Sequence, residues 1–478
     1  MVTDCSIKSY HQDLLSNKIS CLEAVNHCLQ NIETHRELNG FLEVFETEAI
    51  QQAQIIDQQI KAGQTLKKLS GVIIGIKDVF CFEGHISSAG SKMLSDYVAI
   101  YTATAIKRLQ EAGAIIIGRQ NCDEFAMGSA NANPYYGQAK NPINPQKVPG
   151  GSSGGSALTV KTKQCMISIG SDTGGSVRQP ADFCGVVGYK PSYGRVSRNG
   201  LIAYASSLDG VGIISNYVQD IQEVLEVIAG PDQIDNTAIP EPYYPTPSTQ
   251  KSKIRLAYFK SWLEAPGLDP EIKAAITSYF NNLPSHQYEI VEYDFPFTNL
   301  LVPTYYIIAT AEAASNLARY DGLRYGYNTA NKNLDLVQLI KANRTESFGN
   351  EVKKRILIGN FVLGAEHHYA YYDKAVKIRT QMKDYIQQIM QDCDAIIAPT
   401  VPTTAFDLNL SQENPEAVYL ADIFTVLANL TGIPAIALPC FKHSNGLPFG
   451  LQLMGKFSQD NQLLELAQQL FYSSNKLN

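Results

Sequence analysis

The chain has 478 residues, 45% hydrophobic and 18% charged, with a net charge of −7; that is the composition of a folded globular protein, not of a disordered or fibrous one. The acidic balance argues against a broad nucleic-acid-binding face. The nine cysteines are odd in number and none stand as C-x-x-C, which argues against a zinc cluster and against a disulfide framework. The apolar runs Val72–Ile76 and Ala114–Ile117 are far too short to span a bilayer. Met1 to Cys5 lacks the basic start and apolar run of a secretory signal. A soluble, cytoplasmic protein that makes no membrane contact is expected.

In chain order, Ser20-Cys21-Leu22-Glu23 fits a capping box, and Leu22, Val25, Leu29 and Ile32 follow at helical spacing. Ala49, Ala53, Ile56 and Ile60 predict a second amphipathic helix that stops near Gly63. Gly71 to Asp78 reads as a buried strand ending in Lys77. Thr104 to Gln110 reads as a helix, Gly113 as its stop, and Ala114–Ile117 as a strand. Ala157–Lys163 predicts a helix, with strands at Met166–Ile169 and Val186–Tyr189. Pro231 to Pro247 has five prolines and no periodicity, and reads as a connection. Beyond it come a strand at Ile254–Phe259, a helix capped by Asp269 with Pro270 at its first position, and a strand at Tyr288–Tyr293. Leu300–Arg319 and Glu351–Met390 read as helical, Ala395–Thr400 as a strand, Ala421–Leu430 as a helix, Ala435–Leu438 as a strand and Gln459–Phe471 as a closing helix. Alternation of helix and strand predicts an α/β fold with a mainly parallel or mixed sheet.

The densest chemistry lies between Pro149 and Pro191. Gly150-Gly151-Ser152-Ser153-Gly154-Gly155-Ser156 and Gly170-Ser171-Asp172-Thr173-Gly174-Gly175-Ser176 are two glycine-serine loops around one short segment. Such loops bring backbone N–H groups and hydroxyls together around a ligand, which points to acyl transfer at serine. Gly151-Ser152-Ser153-Gly154-Gly155 fits the G-x-S-x-G nucleophile elbow. That elbow requires a strand immediately before it, and Asn141 to Pro149 is proline-rich instead. Asp172-Thr173-Gly174 lacks the second copy that an aspartic-protease pair needs. No glycine is followed by the Lys-Ser or Lys-Thr of a phosphate loop.

Lys77 in Gly75-Ile76-Lys77-Asp78, the Gly151-Ser152-Ser153-Gly154 loop, Gly174-Gly175-Ser176-Val177-Arg178-Gln179-Pro180 and Val187-Gly188-Tyr189-Lys190-Pro191 together resemble the amidase-signature enzymes. The resemblance implies one large α/β domain over 1–478, with a mixed central sheet and helices on both faces. It divides into N-terminal helices (1–65), a catalytic core (66–230), a proline-rich connection (231–250) and a C-terminal part (251–478) that completes sheet and pocket. It implies Ser176 as nucleophile, Ser152 as a relay on a cis peptide, Lys77 as base, and an oxyanion hole of N–H groups at Thr173, Gly174, Gly175 and Ser176. Serine needs such a base, and burial in an apolar strand moves a lysine toward the neutral form.

Asn121 to Ser129, Glu312 to Gly322, Glu351 to Ile356, Ala398-Pro399-Thr400 and Gly446 to Gln452 further resemble the glutaminase subunits of tRNA-dependent amidotransferases. Cys122 departs from that pattern, which usually has methionine there. This resemblance implies a glutaminase working with B and C subunits in a heterotrimer. Arg355 would hold the glutamine carboxylate and Asp422 its ammonium, with Tyr306 and Met127 lining the pocket. Metal and cofactor are implied absent from this chain, ATP and magnesium belonging to the partner that receives mischarged tRNA. A stand-alone amidase for small amides is the alternative.

Overall fold

A computed structural model of the chain describes residues 5–245, 253–331, 333–410 and 419–474. The strands are β1 (Phe41–Val44), β2 (Ile73–Lys77), β3 (Ile115–Gln120), β4 (Ala132–Asn133), β5 (Gly137–Gln138), β6 (Ile167–Asp172), β7 (Val187–Lys190), β8 (Gly210–Ser215), β9 (Ile254–Phe259), β10 (Tyr288–Tyr293), β11 (Ala395–Pro399), β12 (Ala435–Lys442) and β13 (Pro448–Gly455). Eleven of them form one sheet in the order β1-β3-β2-β6-β8-β7-β12-β13-β11-β9-β10, while β4 and β5 pair separately. The sheet is mixed. β2 runs parallel to both β3 and β6, β9 runs parallel to β10 and β11, and the remaining pairs are antiparallel.

β2, β3 and β6 are buried along their whole lengths, as parallel strands covered on both faces must be. That explains why Val72–Ile76 and Ala114–Ile117 read as unbroken apolar runs. Because the three run in one direction, their carboxyl ends lie side by side. Lys77, Gln120 and Asp172 are the last residues of these strands, so polar groups gather where open α/β sheets hold ligands. Helices flank the sheet, and among the described residues none is long and apolar enough to cross a membrane.

Many predicted elements are present. Ser20 and Glu23 form the reciprocal capping box of Cys21–Thr34. Asp269 caps Pro270–Asn282 with Pro270 inside the first turn. β9 and β10 have the predicted bounds. Others differ. The helix predicted from Ala157 begins at Gly154, so Ser153 of the first glycine-serine loop is its cap. The stretch Glu351–Met390, read as helical, spans two α-helices, Asn350–Leu363 and Lys374–Asp392. Gly364 between them is extended, with φ −59° and ψ 142°. Of Ala421–Leu430 only Val426 onward is helical; a turn carries Asp422. β1, β8, β13 and the helices Ile7–Leu15, Val218–Ile228 and Leu336–Ser347 add to the predicted elements. Residues 231–245 contain no helix or strand, and 246–250 lie outside the described residues.

Candidate active site

At the end of β2 the Lys77 side chain is fully buried. Its Nζ donates to Ser152 Oγ at 2.6 Å and to Ser171 Oγ at 2.9 Å. The Gly151–Ser152 peptide is cis. The loop is held by the Gly151 N–H donating to Gln179 Oε1 (2.9 Å) and by the Asp123 N–H donating to the Ser152 carbonyl (3.3 Å). The Ser153 N–H donates to the Ser176 carbonyl at 3.1 Å, which joins the two glycine-serine loops. Lys77 and Ser152 are therefore in direct contact, and Ser176 is beside them through the backbone. Among the described residues the Ser176 hydroxyl has no hydrogen-bond partner, and Ser176 is part-exposed where Ser152 and Ser153 are buried. Ser153, the residue at the centre of the elbow pattern, spends its hydroxyl on the Ser171 carbonyl at 3.2 Å.

The turn after β6 is shaped by Asp172. Its carboxylate accepts the N–H groups of Gly175 (2.9 Å) and Val177 (3.1 Å) and is gripped by the Arg178 guanidinium at 3.0 and 3.1 Å. This corrects one expected member of the oxyanion hole, because the Gly175 N–H is already committed to a carboxylate. The N–H groups of Thr173, Gly174 and Ser176 find no acceptor among the described residues. Gly175 serves the turn through its conformation. Its φ is +128°, and a Cβ there would lie 2.3 Å from Thr425 Oγ1. Thr173 Oγ1 donates to Asp209 at 2.7 Å, and Thr425 Oγ1 donates to the Gly174 carbonyl at 2.6 Å. The turn is thus fixed from both sides.

The predicted substrate handles come from three other elements. Arg355 lies on the buried face of Asn350–Leu363. Its Nε donates to Glu351 at 2.8 Å and its Nη1 to the Tyr204 hydroxyl at 2.7 Å. The guanidinium lies 5.4 Å from the Tyr306 ring centre and 5.6 Å from that of Tyr204. The Tyr306 hydroxyl donates to Asp422 at 3.1 Å, and Ser129 Oγ adds contacts at 3.3 and 3.4 Å. Tyr306 thus has a cation at its face and a carboxylate at its hydroxyl. Met127 is buried two residues before Ser129, and no polar contact ties it to the pair. Asp209, Tyr204 and Thr425 join this site with no signal in the sequence, whereas Asp172 lies in the second glycine-serine loop and Ser129 closes the Asn121–Ser129 motif, neither with a role assigned from the sequence.

The charges are unusual for neutral solution. Burial pushes the Lys77 ammonium down to about 8, although Cys122, Asp123, Asp172 and Asp209 oppose the shift. Burial likewise pushes the Asp422 carboxyl up to about 7 against the pull of Tyr306 and Arg355. At Asp172 burial is outweighed by the Arg178 guanidinium, which holds the carboxyl well below the usual range. A lysine poised to lose its proton, in contact with one serine hydroxyl and near a second that is unengaged among the described residues, offers the groups that nucleophilic attack on a carbonyl carbon requires.

The amidase family model matches residues 23–464. The A subunit of glutamyl-tRNA(Gln) amidotransferase from Koribacter versatilis is 46% identical over 90% of this chain and 90% of its own. That of Synechococcus sp. (strain CC9605) is 42% identical over 98% of this chain and 96% of its own. Among solved structures, the A subunit of glutamyl-tRNA(Gln) amidotransferase from Thermotoga maritima is similar with a TM-score of 0.77 at 32% identity, covering 97% of this chain and 93% of that one.

Proposed function

The chain belongs to the amidase family, and we propose that it is the glutaminase subunit of a tRNA-dependent amidotransferase. It hydrolyses glutamine to glutamate and ammonia. A B subunit uses that ammonia, with ATP and magnesium, to amidate Glu-tRNA(Gln), Asp-tRNA(Asn) or both in the cytoplasm, and a small C subunit ties the heterotrimer together. The observation that carries this reading is Tyr306 between Arg355 and Asp422. Glutamine bears a carboxylate and an ammonium on one carbon, and this pair offers each its counter-charge. A hydrolase for simple neutral amides needs neither charge, so the stand-alone alternative is the weaker one.

In the proposed reaction Ser176 Oγ attacks the side-chain carboxamide carbon. Its proton passes to Ser152, whose own proton moves to neutral Lys77. The oxyanion takes up the open N–H groups of the Thr173–Ser176 turn. Collapse breaks the C–N bond, the proton returns through Ser152 to the leaving nitrogen, and ammonia departs. Water then attacks the Ser176 ester by the same relay, releasing glutamate and restoring the serine. Arg355 and Asp422 hold the other end of the substrate throughout, which keeps the reacting atoms in register.

The test is co-expression with B and C subunits and assay of glutamine-dependent amidation of Glu-tRNA(Gln). The Ser176→Ala complex should lose glutamine-dependent amidation while ammonia-dependent amidation survives. Retained glutaminase activity would refute the nucleophile. Failure to co-purify, together with rapid hydrolysis of simple amides by the chain alone, would refute the amidotransferase reading.

A further inference from the structure

Lys77 Nζ touches two hydroxyls, and the proton relay uses one. The contact to Ser152 is 2.6 Å and that to Ser171 is 2.9 Å, with all three side chains buried. A neutral primary amine has one lone pair and two hydrogens. To act as base it must direct that lone pair at Ser152 Oγ, yet nothing in the amine itself fixes rotation about its last carbon–nitrogen bond. A second acceptor on a rigid element would fix it. Ser171 is on β6, the strand between β2 and β8, paired in register with Val211, and its own carbonyl is held by Ser153 Oγ at 3.2 Å. Among the described residues its hydroxyl has no contact other than Lys77.

We infer that Ser171 is a positioning residue, accepting one N–H of Lys77 in both charge states so that the lone pair, or the transferred proton, faces Ser152. The idea rests on the triad reading, since it has no meaning unless Lys77 is the base. It also assigns a difference between the two serine contacts. The Ser152 contact reverses direction during the relay, with its hydroxyl donating to the neutral amine and accepting from the ammonium. The Ser171 contact keeps one direction throughout. The other ionisable groups facing Lys77 are Cys122 and Asp123 beyond β3, Asp172 at the end of β6 and Asp209 ahead of β8. A change at Ser171 leaves all four in place, so a shift in the lysine's titration reports the hydroxyl.

The experiment compares wild type with Ser171→Ala and Ser171→Thr in the co-expressed complex. One readout is glutamine hydrolysis, and the second is the rate at which a fluorophosphonate derivatises Ser176. In that second reaction an oxygen–phosphorus bond forms, fluoride leaves and the serine proton passes to Lys77, so base activation is measured whatever the natural amide. For Ser171→Ala, kcat and the derivatisation rate should both fall about 10- to 100-fold with KM changed by less than about twofold. The acid limb of both pH profiles should move to lower pH, because an acceptor that favoured the ammonium is gone. Ser171→Thr, which keeps a hydroxyl on the same strand, should restore rate and limb. An unshifted limb, a loss expressed mainly in KM, or a threonine variant that folds like wild type yet is as slow as alanine would each overturn the proposal. If wild type is derivatised at Ser176 but hydrolyses no glutamine, the substrate assignment fails and the Ser171 comparison still decides through the fluorophosphonate rates.

Discussion

Lys77 and Asp422 both titrate on the acid side of the proposed reaction, and they enter it at different steps. Lys77 must be neutral to accept a proton, and its ammonium ionises at about 8. The rate of the chemical step should therefore rise with pH through about 8 and be lost below it. Asp422 must be ionised to hold the substrate ammonium. In the empty site its carboxyl is pushed up to about 7, so as pH falls through that value the site loses its negative charge and KM should rise. Bound glutamine brings a cation to Asp422 and lowers its pKa, so this ionisation belongs to kcat/KM and not to kcat. Asp422→Asn separates the two. It should raise KM roughly 10- to 100-fold, the loss expected for one charged hydrogen bond, remove the pH dependence of KM and leave the Lys77 limb of kcat. Initial rates over glutamine concentration at several pH values check this. A variant with unchanged KM would remove Asp422 from the binding site.

The turn Thr173–Val177 shows what an element adds to its residues. Two of its N–H groups are consumed by Asp172, one side is fixed by Asp209 and the other by Thr425, and the remaining N–H groups find no acceptor among the described residues. Gly175→Ala should break this arrangement twice over, through a φ of +128° and through a Cβ 2.3 Å from Thr425 Oγ1. Such strain costs roughly 1–3 kcal/mol, and a displaced oxyanion donor costs about 10²–10³ in rate. A denaturation midpoint lowered to match, with glutaminase activity down at least about 100-fold, is the expected result; an active variant would mean the turn relaxes without moving its donors. The two glycine-serine loops and Lys77 are legible in the sequence because the candidate catalytic groups occur in short, dense motifs. The ties that shape the turn are not, since Gly174 and Thr425 are 251 positions apart. Element bounds escape for similar reasons. β8 is broken by glycines and β13 opens on a proline, so neither shows the apolar run that reveals β2. Asp422 falls in a predicted helix, but the structure has a turn there, and the turn is what frees its carboxylate to meet Tyr306.

Across the whole molecule, Arg178 ties the two halves of the chain together at the candidate site, in addition to the β7–β12 pairing that joins them in the sheet. Arg178 is fully buried. Besides Asp172 it donates to the Thr425 carbonyl at 2.9 Å, to Gln452 Oε1 at 3.1 Å and to Asn429 Oδ1 at 2.7 Å. One guanidinium therefore connects β6, the turn and helix after Asp422, and β13. This helps hold the Thr173–Val177 turn and the Asp422 turn in a fixed relation although one precedes and the other follows the proline-rich connection. Removing the cation from a buried pair costs about 3–5 kcal/mol, so Arg178→Met should lower the denaturation midpoint sharply at neutral pH. The pH dependence gives the sign. In the wild type Arg178 holds Asp172 well below the usual carboxylate range; the stability this supplies is present above the ordinary carboxylate pKa and is lost only in strong acid. Without Arg178 the largest pull on the carboxyl is gone and only Lys190, Asn429 and the turn N–H groups oppose burial, so the Asp172 pKa is expected to rise above its unfolded value. The carboxyl then favours the folded state when protonated and penalises it when ionised. The stability deficit of Arg178→Met should accordingly shrink as pH is lowered from about 7 toward about 5, and Arg178→Met combined with Asp172→Asn should be more stable at neutral pH than Arg178→Met alone. Denaturant midpoints of the three chains at the two pH values decide it, and a deficit independent of pH would mean that the lost contacts to Thr425, Asn429 and Gln452, not the stranded carboxylate, account for the damage.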